Sequence, residues 1–155
     1  DIAIAAEEAT FGLSEINFKH FPGGMVTKNI TETLRPREAL YYSLTGEPFS
    51  GKRAHEIGLV TKAVPKAELA GAVRALAENL RGKDPVALRM CKDVFKINMQ
   101  MNYEEAYWYA SAKSDQATLL QRGGWLKGEG GIGGFLAGNY RPGLETAETA
   151  ETAKR

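Results

Sequence analysis

The sequence predicts an α/β fold that is mostly helical, with short strands near residues 1–6 and 59–64. Three observations carry this reading. Apolar residues recur at three- and four-residue spacing in successive segments between Val26 and Met101, the period of a helix with one buried face. Helix punctuation brackets those segments, with capping residues or proline at their starts and glycine at two of their stops. Two short runs, Asp1–Ala6 and Leu59–Val64, lack that period and read as strands, the second alternating and rich in β-branched residues.

In order, Asp1–Ala6 reads as a buried strand with no turn chemistry before it, which suggests sequence upstream. Glu7–Thr10 is a polar turn, and Phe11–Leu13 a short apolar piece. From Gly24, Val26, Ile30 and Leu34 mark a helix whose N-terminus follows Pro22-Gly23-Gly24. Its free N–H groups would point toward the preceding loop and suit a polarised or anionic ligand, unless the glycines serve only a tight turn. Pro36 opens a second helix that Gly46 stops, and Ser50 caps a third that ends at Gly58. Pro65 ends the strand at 59–64.

The remainder reads as helix. Leu69, Val73, Leu76 and Leu80 form a stripe from about Lys66 to Arg81. Asp84 caps the next helix, with Pro85 in its first position and Val86, Met90, Val94, Ile97 and Met101 facing inward. Cys91 adjoins that face as a packed thiol. Asn102 caps a helix that carries Tyr103, Tyr107, Trp108 and Tyr109 to about Arg122, with Glu104 and Glu105 favourable in its first turn. Gly128 to Gly133 spells a formal G-x-G-x-x-G, but no strand precedes it, so it is no dinucleotide site. Six glycines between Gly123 and Gly133 weaken any helix there by about 1 kcal/mol each relative to alanine. Residues 144–155 repeat Glu-Thr-Ala without core residues and read as a disordered tail.

Bulk properties narrow the function. A net charge of +1 gives no global field for nucleic acid. No apolar run reaches a membrane span. A single cysteine cannot form an internal disulfide, which suits a reducing cytoplasm. His20 and His55 are far apart and no Cys/His cluster has metal-ligand spacing, so a metal site is not expected.

The chemistry centres on Thr10-Phe11-Gly12-Leu13-Ser14-Glu15-Ile16-Asn17, followed by Pro22-Gly23-Gly24. A carboxylate among Leu13, Ile16 and Phe18 is placed for partial desolvation, which raises a Glu pKa toward the range of a proton donor. The plainer alternatives are a solvated loop residue or a helix-capping carboxylate. This segment is similar to the one that carries the second catalytic glutamate in the crotonase (enoyl-CoA hydratase/isomerase) superfamily. Arg37-Glu38-Ala39-Leu40-Tyr41-Tyr42, Leu44-Thr45-Gly46-Glu47-Pro48-Phe49 and Ala54-His55-Glu56-Ile57-Gly58-Leu59-Val60 extend the resemblance, which runs to about Gly143. Ser14 where the superfamily usually has proline, together with Tyr41-Tyr42, is similar to the hydroxycinnamoyl-CoA (feruloyl-CoA) hydratase-lyases.

The resemblance implies the C-terminal part of a crotonase-like spiral. Residues 1–64 would hold the spiral core and glutamate loop, and 65–143 a helical oligomerisation and pocket-covering region. An N-terminal half would supply the oxyanion hole, without which the chain would be inactive. Glu15 would be catalytic, and Gly23 and Gly24 would line the substrate. An ungapped match places Ser111 at the family's phenol-binding tyrosine, and a two-residue shift places Tyr109 there. Phe135 and Arg141 would meet coenzyme A, which enters only as part of the substrate; no covalent cofactor is implied. The implied partners are an acyl-CoA and further copies in a trimer or hexamer. The rival functions are a fatty acyl enoyl-CoA hydratase/isomerase and a non-catalytic helical interaction module. His20 reads as an exposed loop histidine rather than a second acid or base.

Overall fold

A computed structural model describes residues 1–127 and 131–139. The chain divides into two compact units, residues 1–79 and 80–155. The first contains β1 (Ile4–Ala6), β2 (Thr10–Phe11), α1 (Val26–Thr33), α2 (Pro36–Thr45), β3 (Phe49–Ser50), α3 (Gly51–Glu56), β4 (Lys62–Val64) and α4 (Leu69–Arg81), whose last turn crosses the boundary. The second contains α5 (Pro85–Asn98), α6 (Tyr103–Leu120), α7 (Gly124–Lys127) and α8 (Ile132–Leu136).

β1 and β4 pair in parallel, Ile4 opposite Lys62 and Ala6 opposite Val64. β2 and β3 pair antiparallel, Phe11 opposite Phe49, and the two rings stack at 5.9 Å. The expected strand at 59–64 is thus only its last three residues. The N–H groups of Leu59 and Val60 both go to the Ala54 carbonyl, closing α3 instead of joining the sheet. Leu13, Ile30, Leu34, Ala39, Tyr42 and Ile57 form the main core cluster. Ala5, Ala54 and Val60 form a second, and Phe49 and Leu59 pack against both.

The sharpest constraint lies at the start of α3. Its first N–H groups have no partner within the helix. Gly51 donates to the Ala9 carbonyl at 2.7 Å, Lys52 to Glu7 at 3.2 Å, and Arg53 to the capping Ser50 hydroxyl at 3.1 Å. Such docking brings two backbones together: a Cβ on Gly51 would stand 1.8 Å from the Ala6 carbonyl oxygen. In the same first turn of α3, the Arg53 side chain forks onto both oxygens of Glu38 in the first turn of α2, at 3.0 and 3.2 Å, and reaches the Tyr42 hydroxyl at 3.2 Å.

In the second unit the local signals hold. Pro85 opens α5 and the Asp84 carboxylate accepts from Ala87 N–H at 2.7 Å. Gln121, at the end of α6, also donates to Asp84, at 2.6 Å. Asn102 and Glu105 form a reciprocal capping box on α6. Burial departs from expectation. Of the α5 stripe only Met90 is buried, and Ile97 is exposed. None of Leu69, Val73, Leu76 and Leu80 on α4 is buried. Cys91 is exposed rather than packed. Among its described residues the glycine-rich stretch holds two short helices, α7 and α8, and the tail at 144–155 lies outside the described residues.

Two outcomes are expected. Gly51→Ala forces apart β1 and α3 and costs ~3 kcal/mol of stability, measured by urea unfolding. The Asp84 carboxyl sits below its ordinary value of 3.8, first because of the Ala87 N–H and then because of Gln121. A depressed carboxyl stabilises the fold fully above the unfolded value and loses that contribution as pH falls through the folded one. Asp84→Ala is therefore expected to flatten the acid limb of a stability-against-pH curve below about pH 4. An unchanged limb would remove Asp84 from that role.

Candidate active site

Glu15 lies in a 3-10 turn, Ser14–Phe18, that leaves β2 through buried Leu13. The turn is closed by Lys19 N–H donating to the Ile16 carbonyl and His20 N–H to the Glu15 carbonyl, both at 3.1 Å. Lys19 takes a left-handed conformation, φ 61°, to make that closure. The end of α2 clamps the turn from outside. Gly46 is buried with φ 62°, and a Cβ there would meet Ile16 and Asn17 at 2.7 Å. Asn17 Nδ2 donates to the Gly46 carbonyl at 3.3 Å.

Held this way, Glu15 is half-buried and its Oε2 is shielded from solvent with no hydrogen-bond partner among the described residues. A buried polar atom without a partner is unusual and costs stability unless something else uses it. The three expected neighbours differ in their own burial. Leu13 is buried, but Ile16 is at the edge of exposure and Phe18 is 78% exposed. His20 is exposed; its Nδ1 accepts the Phe21 N–H at 2.8 Å and its ring meets that of Phe21 edge-on.

Gly23 and Gly24 precede α1, which starts two residues later at Val26 behind the capping Met25. They therefore form the turn before the helix rather than its first turn. Gly24 needs glycine's freedom, with φ 59°. The turn is stitched by Val26 N–H to the Gly23 carbonyl and by the Thr27 hydroxyl to the Pro22 carbonyl.

Two hollows flank this region of the first unit. One, of about 430 Å³, is apolar and includes Ile16, Pro22, Ile30, Ala39 and Leu40 in its walls. The other, of about 410 Å³, is polar and lined by Arg37, Glu38, Tyr41, Tyr42, Glu47 and Arg53. In it Tyr41 donates to Glu47 at 2.5 Å, and that bond, followed by the Glu47 charge, raises the Tyr41 pKa. Glu15 lines neither.

The other candidates lie in the second unit. Tyr109 and Ser111 are both half-buried on α6. Two helical positions are about 200° apart, so they serve different faces and cannot share one contact. Tyr109 lies on the side toward α5: Lys113, whose Nζ is 5.5 Å from the Tyr109 ring centre, also approaches Asp93 on α5. Asn98 of α5 carries a buried Oδ1 without a hydrogen-bond partner among the described residues. Tyr103 and Trp108 are exposed, as is Phe135 on α8. Arg141 lies outside the described residues. Among the described residues no three His, Cys, Asp or Glu side chains group as a metal site, and no helix is long and apolar enough to cross a membrane. The Asp93–Lys113–Tyr109 group was not legible in the sequence, since only helix spacing hints at it and Asp93 is on another element.

The α/β arrangement is that of the crotonase fold. The chain belongs to the enoyl-CoA hydratase/isomerase family, whose sequence model matches residues 1–122. It is 44% identical over 146 residues to a hydroxycinnamoyl-CoA hydratase-lyase of Pseudomonas fluorescens, covering 94% of this chain and 52% of that protein. A probable enoyl-CoA hydratase of Bacillus subtilis is 34% identical, over 83% of this chain and 55% of its own length. Human enoyl coenzyme A hydratase domain-containing protein 3 superposes with a TM-score of 0.75 at 27% identity, over 89% of this chain and 52% of that one. The chain spans about half the length of the curated relatives it matches.

An oxygen that is shielded and unpartnered contributes nothing favourable to folding. Glu15→Gln is therefore expected to unfold at the same denaturant concentration or a higher one. A loss above ~1 kcal/mol would show that the carboxylate has a structural partner after all.

Proposed function

We propose that this chain supplies the proton-transferring glutamate of a hydratase-lyase acting on a hydroxycinnamoyl-CoA such as feruloyl-CoA. The observation that carries the reading is the unpartnered, shielded Oε2 of Glu15. The 44% identity to the Pseudomonas fluorescens hydratase-lyase supports the substrate class.

In this reading water adds across the side-chain double bond of the thioester. Its oxygen bonds to the carbon next to the ring, and a proton reaches the carbon next to the thioester carbonyl through Glu15. The new hydroxyl then loses its proton as the bond between those two carbons breaks. The products are an aromatic aldehyde and the enolate of acetyl-CoA, which takes up a proton to give acetyl-CoA. Backbone donors that hold the enolate oxygen belong, on this proposal, to the N-terminal half of the complete protein. Gly23 and Gly24 line the acyl group, Tyr109 meets the phenol, and Phe135 and Arg141 meet the coenzyme A portion. Coenzyme A enters only within the substrate. The complete enzyme works in the cytoplasm as a trimer or a pair of trimers.

A second reading, hydration of fatty enoyl-CoA, is favoured by the similarity to the probable enoyl-CoA hydratase of Bacillus subtilis. One assay separates the two. The complete protein is expected to release an aromatic aldehyde from feruloyl-CoA, and Glu15→Gln to lower kcat by about 10²–10⁴-fold, the usual worth of a positioned proton-transfer group. Hydration of crotonyl-CoA without aldehyde release from feruloyl-CoA would select the second reading. Full activity of Glu15→Gln would remove Glu15 from both.

A further inference from the structure

The inner oxygen of Glu15 has no hydrogen-bond partner among the described residues, so no bond at that atom fixes the side chain. Its place is set by the peptide that carries it. That peptide is the 3-10 turn Ser14–Phe18, a form with poorer hydrogen-bond geometry than an α-helix. The turn ends under strain: Lys19 takes φ 61° and ψ 31°, a left-handed conformation that a side chain disfavours. Such a conformation persists only where the surroundings over-determine the backbone. Here the surroundings are the end of α2. Gly46 is buried, stops α2 with φ 62°, and donates its N–H to the Tyr42 carbonyl at 3.1 Å. Asn17 Nδ2, 29 residues away in sequence, donates to the Gly46 carbonyl at 3.3 Å. Among the described residues it is the one side-chain hydrogen bond that ties this turn to another element.

We propose that Asn17 is a positioning residue for Glu15: by holding the Gly46 carbonyl it locks the turn to the end of α2 and fixes where the carboxylate stands. This rests on the proton-transfer role proposed for Glu15. It applies equally to an aromatic or a fatty acyl group, because Asn17 acts through the glutamate and not on the substrate. Ile16 and Asn17 divide the contact with Gly46. A Cβ there would stand 2.7 Å from both Ile16 Cγ2 and Asn17 Nδ2, so only glycine lets the turn seat this closely. The apolar contact of Ile16 is non-directional and leaves the turn able to slide, whereas the amide bond sets its orientation. A single neutral hydrogen bond contributes little to stability. A misplacement of about 1 Å in a reacting group can cost about a hundredfold in rate. Loss of this bond is therefore expected to appear in turnover, not in folding.

The test uses the complete protein with feruloyl-CoA and crotonyl-CoA. Asn17→Leu keeps the bulk and removes the donor. It is expected to lower kcat about ten- to a hundredfold on whichever thioester the wild type turns over, with KM within about twofold. Asn17→Ala is expected to do the same. Combined with Glu15→Gln, Asn17→Leu is expected to be silent, because the group it positions is already gone. Wild-type kcat in Asn17→Leu overturns the proposal. So does a rise in KM with kcat unchanged, or a kcat loss that persists undiminished beside Glu15→Gln; either leaves Asn17 a structural contact. Full activity of Glu15→Gln alone overturns the proton-transfer reading itself, and the role of Asn17 falls with it. Amide hydrogen exchange reads the positioning step without reference to activity. The His20 N–H, which donates to the Glu15 carbonyl, is expected to exchange about tenfold faster in Asn17→Leu. Unchanged exchange there would overturn the proposal.

Discussion

The first unit depends on one close approach of two backbones. The first residue of α3 lies so near the Ala6 carbonyl that no side chain fits between them. The same docking satisfies N–H groups of α3 with carbonyls of the turn that follows β1. Once α3 is seated, Ala54 is fully buried against Ala5 and Val60, and the chain leaving α3 returns in register beside β1. The strand pair at Phe11 and Phe49 closes the other side of the same turn. The peptide that carries Glu15 therefore emerges from a point fixed by hydrogen bonds and by steric exclusion, not by its own weak turn propensity. Gly46 in turn packs closely against Ile16 and Asn17 of the Glu15 turn.

Much of this architecture was legible because it is written in local chemistry. Pro36, Gly46, Ser50, Asp84, Pro85 and Asn102 each act on backbone groups within a few residues, and each sits where a helix starts or stops. What depends on distant partners was not. Two-residue strands such as β2 and β3 carry too few side chains to show a period. Leu59 and Val60 have strand-like side chains, yet their N–H groups close a helix because Ala54 offers the nearer carbonyl. The stripes on α4 and α5 announce a face but say nothing of what covers it, so Val73 and Ile97 stand exposed despite ideal spacing. Cys91 adjoins such a stripe and shares its exposure.

For the site, the motif identified the residue but not its surroundings. Glu15 stands out by its neighbours in sequence, yet of those neighbours Leu13 is buried while Phe18 stands exposed. The glycine pair reads as the turn a helix follows, and α1 begins at Val26 just beyond it. Tyr109 and Ser111 were interchangeable candidates in sequence, and the helix makes them exclusive. Lys113 drew no attention, because a lysine near the middle of a helix has no distinguishing pattern. Its meaning depends on Asp93, which belongs to a different helix.

The contrast between two glutamates in the same unit bears most directly on mechanism. Glu38 accepts two bonds from Arg53 and lies in a network with Tyr42. A carboxylate held in a guanidinium fork has both oxygens committed to charge-assisted hydrogen bonds. It suits architecture and not proton exchange. Glu15 is shielded too, but among the described residues there is no hydrogen-bond partner for its inner oxygen. That inner oxygen is closed off from water. Folding alone would favour either an apolar side chain there or an arginine beside it. A position that has neither, in a turn packed against Gly46, is what the proposed proton-transferring role asks for.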